Sequence, residues 1–409
     1  MSSSFGWLDT DHTQRRRMLD VVDLFRERDT VDEIGVGAIR DTISDILFPG
    51  TSTLHTRMRY VLFVPWLVDM AVSSTTSSND AAAKLRHLEI RLIDSLLRGE
   101  ERYSAADNRG IIGSEARRNL KRMPSEMYWA CLHRWGLRTT DMSLNAHLRH
   151  AAVARRLAAE QPEPDDPGAR FAPNTSGFDL GGIDPPKDLL KQTNMDLTPE
   201  EAGLLTERLD VHASGSLLGW LTVRPHHIDP DAPAPWDLDL SGAPPQIRTA
   251  VEHAHRFSTL IHGARLLYNL LLAEAAEMPD GVDQLRSQLH EWRAQLERTA
   301  ALDSWDQTDF WALLRQHQPR LSLPTQTFVD RWIMILSHTT HVEDDPDARD
   351  HLRSREFQIK GARARLHNSA ALERWGRALN VSPLVFRWPE TRRLLLDLHA
   401  PLLHHQAEF

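Results

Sequence analysis

The chain has 409 residues, 41% of them hydrophobic and 26% charged, with a formal net charge of −9 and a single cysteine, Cys131. That length allows two or three domains and a core that needs no cross-link, and the lone cysteine excludes a disulfide framework and a cysteine-based zinc site. The longest apolar run, Tyr60 to Val68, falls far short of the roughly 20 residues of a membrane span, and the N-terminus lacks the layout of a signal peptide, so a cytoplasmic protein without membrane contact is expected.

From the N-terminus onward the helical period dominates. Met18, Val22 and Phe25 recur at helical spacing, and Thr30 to Glu33 has the Ser/Thr-x-x-Glu form of a capping box. Ile39, Ile43, Ile46 and Leu47 line a short helix that should stop at Phe48-Pro49-Gly50. A further helix is expected to open near Ser52 or Thr53 and run through Leu54, Met58, Val61 and Leu62, with Pro65 kinking or ending it. Those two helices and a short turn would make a helix-turn-helix, with Arg57 and Arg59 at the start of its second arm. Helical patterns also cover 82–98, 247–277, 282–299, 304–317 and 325–338, and Thr198-Pro199-Glu200-Glu201 is the clearest helix start. The alternation of Trp236, Leu238 and Leu240 reads as an isolated extended segment, the one strand-like signal.

Residues 161–186 and 224–245 carry six prolines each, and 161–250 holds 6 Lys/Arg against 15 Asp/Glu. The expected architecture is therefore mainly all-α: an N-terminal helical lobe (1–160), an acidic Pro-rich connector with a short helical insert (161–246), and a C-terminal helical lobe (247–409).

The search for chemistry excludes several enzymes. There is no P-loop, no His-Glu-x-x-His zinc helix and no Gly-x-Ser-x-Gly nucleophile elbow. None of the five lysines follows an acidic residue by two positions, so the usual core of restriction-type nucleases is missing. No catalytic residue, cofactor or metal is assigned. His338 and His341, followed by Glu343, Asp344, Asp345 and Asp347, could bind a divalent ion; the competing reading is a helix end running into an acidic loop, with Asp347 capping the next helix. His147 and His150 lack acidic companions and read as surface histidines. His262, in an apolar helix, reads as a neutral histidine bonded to a backbone carbonyl, with a general base as the alternative.

Two basic blocks stand against the overall acidity: 109–160 with 10 Lys/Arg against 4 Asp/Glu, and 349–393 with 11 against 4. In the first, Arg117, Arg118, Lys121 and Arg122 cluster ahead of Tyr128, Trp129 and Trp135. In the second, a helix over 353–367 would place Arg353, Lys360, Arg363 and His367 on one face, with Arg365 elsewhere and Gly361 where another backbone packs close. Tryptophans alternate with arginines downstream, a composition suited to phosphate contact and base stacking. The candidate nucleic-acid contacts are thus Arg117, Arg118, Lys121, Arg122, Arg353, Lys360, Arg363, Arg365, Arg57 and Arg59; the competing reading is that the arginines bind the chain's own acids.

Several blocks together, among them FGWLD, LFPGTST, LKRMPSEMYWACLHRWG, IKGARARLHNSAALERWG and RWPETRRLL, resemble an uncharacterised bacterial family of unknown function along the whole chain. The resemblance brings no catalytic residues. Where a second glycine would follow Gly376, this chain has Arg377. It implies an accessory role beside helicase-like and phospholipase-D-like proteins of bacterial defence loci. The expected function is a non-catalytic nucleic-acid-binding subunit, DNA before RNA, with a helicase- or nuclease-type protein partner from the same locus. A protein-only docking subunit and an unrecognised metal-dependent enzyme are the alternatives.

Overall fold

A computed structural model of the protein describes residues 33–73, 77–100, 110–160, 177–298, 305–377, 379 and 381–406. They form α1 (Gly37–Leu47), α2 (Tyr60–Ser73), α3 (Ser78–Glu100), α4 (Pro124–Arg134), α5 (Leu144–Glu160), α6 (Pro199–His212) and α7 (Leu217–Thr222). There follow α8 (Pro245–Ala275), α9 (Pro279–Arg298), α10 (Gln307–His317), α11 (Leu323–Leu336), α12 (Pro346–Lys360), α13 (Ser369–Glu373) and α14 (Trp388–Gln406). The fold is all-α among the described residues; the one β feature is an isolated antiparallel bridge between Arg138 and Phe178. The Trp236 segment instead begins as a 3-10 turn, Pro235–Asp237, held where the Ala234 amide donates to the Asp237 carboxylate at 3.1 Å. The helix period at Met18 and the capping box at Thr30 lie outside the described residues.

Two compact units are present, each made of two stretches of chain. The larger takes 41–255 and the described residues from Val385 on; the smaller takes the described residues up to Arg40 and 256–384. Composition suggested cuts at 160 and 246, and contacts group the chain otherwise. The physical reason is that the acidic segment carries its own core anchors: Phe178, Leu189, Met195 and Leu197 are buried, as are Ile228 and Leu238. Its helix α6 starts as expected. Thr198 accepts from the Glu201 amide, Glu201 accepts from the Thr198 amide at 3.0 Å, and Pro199 fills the first helical position.

In the larger unit, α2 packs against α3, α4 and α5. It is buried over nearly its whole length, from Tyr60 to Val68 without a break, which accounts for the apolar run. Pro65 neither kinks the helix to a stop nor ends it; α2 continues to Ser73. Its start is later than expected, at Tyr60, so residues 48–59 form a loop rather than the three- or four-residue turn of a helix-turn-helix. In the smaller unit, Trp332 and Trp292 donate to the carbonyls of Leu260 (2.9 Å) and Thr259 (2.7 Å) on α8, and α12 packs on α11.

Candidate nucleic-acid interface

Helix α3 divides its residues cleanly. Leu85, Leu88, Leu92 and Leu96 recur at helical spacing and are buried. At 100° per residue, Lys84, His87, Arg91, Asp94 and Arg98 lie within about 80° of one another on a face centred about 120° round the helix from the leucines. His87, Arg91 and Arg98 are exposed, Lys84 and Asp94 half-buried. Two loops are fastened alongside this row. Arg86 donates to the carbonyls of Arg118 (3.2 Å) and Leu120 (3.0 Å), and Arg117 pairs with Asp94 at 3.0 Å, which brings the first basic block beside α3. Toward the helix C-terminus, Ser95 donates to the Leu189 carbonyl at 2.7 Å and Arg98 to that of Lys191 at 2.7 Å. Gly99 permits that approach: a Cβ there would lie 1.7 Å from the Thr193 carbonyl oxygen. The result is one exposed surface carrying Arg91 and Arg98, with Arg117, Arg118 and Lys121 from one loop and Lys187 and Lys191 from the other. Among the described residues the side chains of Arg91, Arg118 and Lys121 make no ion pair or hydrogen bond. The α3 cations were not singled out from the sequence; the signal was a basic stripe beside a leucine stripe, diluted by the leucines between.

Arg122 turns the other way. It is half-buried, and burial pulls its pKa down against the pull of Glu126. Nearby, Glu89 is buried and its carboxylate accepts from the Ser125 amide at 2.8 Å, capping α4 from a neighbouring helix; burial raises its pKa to about 7. The aromatic residues of this block do not face solvent. Trp129 donates to the Met142 carbonyl (2.7 Å) and Trp135 to that of Pro49 (2.9 Å); Tyr128 lies wholly buried. The expected base stacking is therefore corrected for these three rings.

Arg57 and Arg59 are interior groups of the 48–59 loop. Arg57 pairs with Asp397 at 2.9 Å, and the same carboxylate accepts from the Met58 amide. Arg59 is buried, pairs with Glu201 at 2.8 Å and donates to both oxygens of Asn194. Tyr128 accepts from the amides of Thr56 and Arg57 and donates to the Arg57 carbonyl. Arg387 donates to Asp45 (2.7 Å) and to the Thr51 carbonyl (2.8 Å). His55 is stacked on Tyr128 and donates through Nε2 to the Met127 carbonyl at 3.2 Å, while burial, with lesser repulsion from Arg387 and Arg122, pulls its pKa to about 4.

In the smaller unit the second basic block folds back on acids. Helix α12 ends at Lys360, not at 367, because Gly361 takes φ +55° and begins a 3-10 turn; a Cβ there would meet nothing within 4 Å, so backbone conformation and not close packing explains the glycine. Glu356 is the anchor of the turn. It accepts from Tyr268 (2.6 Å), Lys360 (3.1 Å) and the amides of Arg365 and Leu366 (3.0 Å each). Burial pushes the Glu356 carboxyl up, but these donors outweigh it and leave it below its ordinary value. Lys360 also pairs with Glu33, as does Arg365 at 2.7 Å. Arg353 pairs with Asp350 at the surface, and Arg363 is exposed and unpaired among the described residues. Arg377, where a glycine was expected, has φ +53°, the left-handed region that glycine favours. Trp388, in the larger unit, is buried and donates to the Ala232 carbonyl at 2.9 Å.

A family model described as a family of unknown function, DUF6361, matches residues 1–400. The chain belongs to that family. No curated protein and no solved structure matches it.

The histidines complete the survey of this DUF6361 chain. His341 lies 3.2 Å from Glu343, and no group of three or more His, Cys, Asp or Glu side chains placed to hold a metal occurs among the described residues. The cap of α12 is Asp345, which accepts from the Ala348 amide at 2.9 Å, rather than Asp347. His147 is buried against the rings of Trp129 and Phe178, not at the surface. His262 has no carbonyl partner at its buried Nδ1, and burial pulls its pKa to about 4. No helix among the described residues is long and apolar enough to cross a membrane.

Proposed function

We propose that this protein is a nucleic-acid-binding accessory subunit of a bacterial multi-protein system, in keeping with the defence-locus resemblance, and that it contacts phosphates through the α3 surface. The observation that supports this reading is the exposed row of Arg91 and Arg98 flanked by Arg117, Arg118, Lys121, Lys187 and Lys191. Arginine and lysine held on a rigid helix and two fastened loops suit phosphate oxygens, which give affinity and salt dependence without sequence choice. Of the ten contacts expected from sequence, Arg117, Arg118 and Lys121 belong to this surface, and Arg363 stands alone in the smaller unit. Lys360, Arg365, Arg57 and Arg59 are engaged with acids of their own unit.

The test is fluorescence anisotropy with labelled DNA and RNA at about 50 and 200 mM salt. With four phosphates contacted, affinity falls by about 100-fold across that range, and Arg118→Glu with Lys121→Glu weakens it further. Absence of binding to every probe at the lower salt would sink the reading.

A second reading, docking on a helicase- or nuclease-type protein of the same locus, is favoured by one observation. In the smaller unit Leu323 is 70% exposed, Met334 55% and Phe357 51%. It predicts a complex with a neighbouring gene product that Phe357→Asp disrupts without changing nucleic-acid affinity.

A further inference from the structure

We infer that the α3 surface takes the phosphate backbone of a duplex and not a single strand, an inference that rests on the phosphate-binding reading above. Three observations carry it. The first is the shape of the charge. Lys84, Arg91 and Arg98 follow one another at intervals of seven residues, so the row is straight and extends about 21 Å along the helix axis. A duplex presents one charge per about 1.7 Å of axis, or about a dozen along that length, whereas one strand of it presents half as many. A straight row that cannot bend toward a flexible strand gains most from the denser and stiffer ligand.

The second is what the surface lacks. Binding of unpaired bases draws on aromatic faces. No Phe, Tyr or Trp side chain among the described residues of the larger unit is exposed, and the hydroxyl or indole groups of Tyr60, Tyr128, Trp129 and Trp135 are bonded within the protein. Among the described residues, bases splayed from a single strand would find arginine, lysine and the lone imidazole of His87 here, and no exposed Phe, Tyr or Trp ring.

The third is rigidity. Arg86 clamps two carbonyls of the 117–121 loop, and Arg98 and Ser95 clamp the 189–191 segment, so the backbone that carries the flanking cations is fixed on either side of the row. Cations rooted on a fixed backbone suit the regular phosphate spacing of a helix; a single strand has no such spacing to match. Acids share these elements: Glu115 and Asp184 are exposed in the two loops. Asp94 is paired with Arg117, and Asp188 with Lys191 at 3.4 Å.

Competition anisotropy with the full chain decides the matter, using a 20-base-pair duplex of DNA, a matched duplex of RNA and each single strand, about 50 mM salt throughout. The expected result is binding of a duplex about tenfold or more tighter than of its single strands, whichever sugar the preferred duplex carries. The double variant Lys84→Glu, Arg91→Glu should lose at least about tenfold in duplex affinity with an unchanged melting temperature, since neither side chain makes an ion pair or hydrogen bond among the described residues. Single strands bound as tightly as the duplex would overturn this inference and leave the phosphate-binding reading intact. Unchanged duplex affinity in the double variant would overturn the assignment to α3. No binding of any probe would overturn both.

Discussion

Glu356 receives the backbone amides of both Arg365 and Leu366 at 3.0 Å, so one buried carboxylate fixes the turn that follows α12. The cationic stretch around Gly361 is thereby organised from inside. Glu356→Ala would strand Lys360 and two amides beside a vacated space, and breaking a buried ionic group of this kind costs about 3–5 kcal/mol. Its carboxyl is held below the ordinary value, so the contribution is complete above the unfolded pKa near 4.5 and is lost as pH falls through the lower folded value. Urea denaturation should show a wide gap between parent and variant at neutral pH that narrows from about pH 5 downward.

Three glycines should respond to alanine in three ways. At Gly99 the new Cβ would strike the Thr193 carbonyl oxygen, a backbone atom that cannot step aside, so Gly99→Ala is expected to be the most destabilising. At Gly361 there is room but φ is +55°, so the cost is conformational, about 1–3 kcal/mol. At Gly203, inside α6, neither obstacle exists, and Gly203→Ala should raise stability by roughly 0.5–1 kcal/mol. Differential scanning calorimetry of the three variants checks the order and the sign.

Glu89→Gln should stabilise the protein selectively at high pH. The folded carboxyl has its pKa raised to about 7 by burial, against an ordinary 4.5, so the folded state holds a proton that the unfolded chain gives up between those values. Stability therefore falls as pH rises through that window, by up to about 3 kcal/mol. Glutamine keeps an oxygen for the Ser125 amide without the charge. The variant's advantage should be present at pH 8 and absent near pH 4; a pH-independent difference would contradict the assignment.

Arg59 and Arg91 make a matched pair of arginines with opposite expectations. Arg59→Met leaves the Glu201 carboxylate buried with its guanidinium gone, so it should lower the unfolding free energy by about 3–5 kcal/mol. Arg91→Met removes an exposed cation and should leave the melting temperature within about one degree while lowering nucleic-acid affinity. Measuring both properties on both variants separates an interior arginine from a contact arginine.

Regular structure was legible in the sequence wherever one face repeats at the helical period. The start of α6 could be read residue by residue, because Thr198, Pro199 and Glu201 form a local motif whose partners lie three residues apart. The arginines were not legible, and the reason is physical. Arg57 and Arg59 find their acids at Asp397 and Glu201, far along the chain, so a local window shows two cations and hides both partners. The density of charge around Lys360 suggested an outward surface, whereas Glu33 and Glu356 draw it inward. Conversely the α3 row passed unnoticed because its cations are seven residues apart, and only the folded helix and its two flanking loops gather them.

The bond from Arg57 to Asp397 spans 340 residues of chain. The 48–59 loop is made long before Arg387 and Asp397, which fasten it. Until then the Met58 amide and the Arg57 guanidinium are without their acceptor, and the larger unit is unfinished although most of its helices have been translated. A pause in translation between the two would leave this nascent chain with a half-built core open to proteases and to other chains.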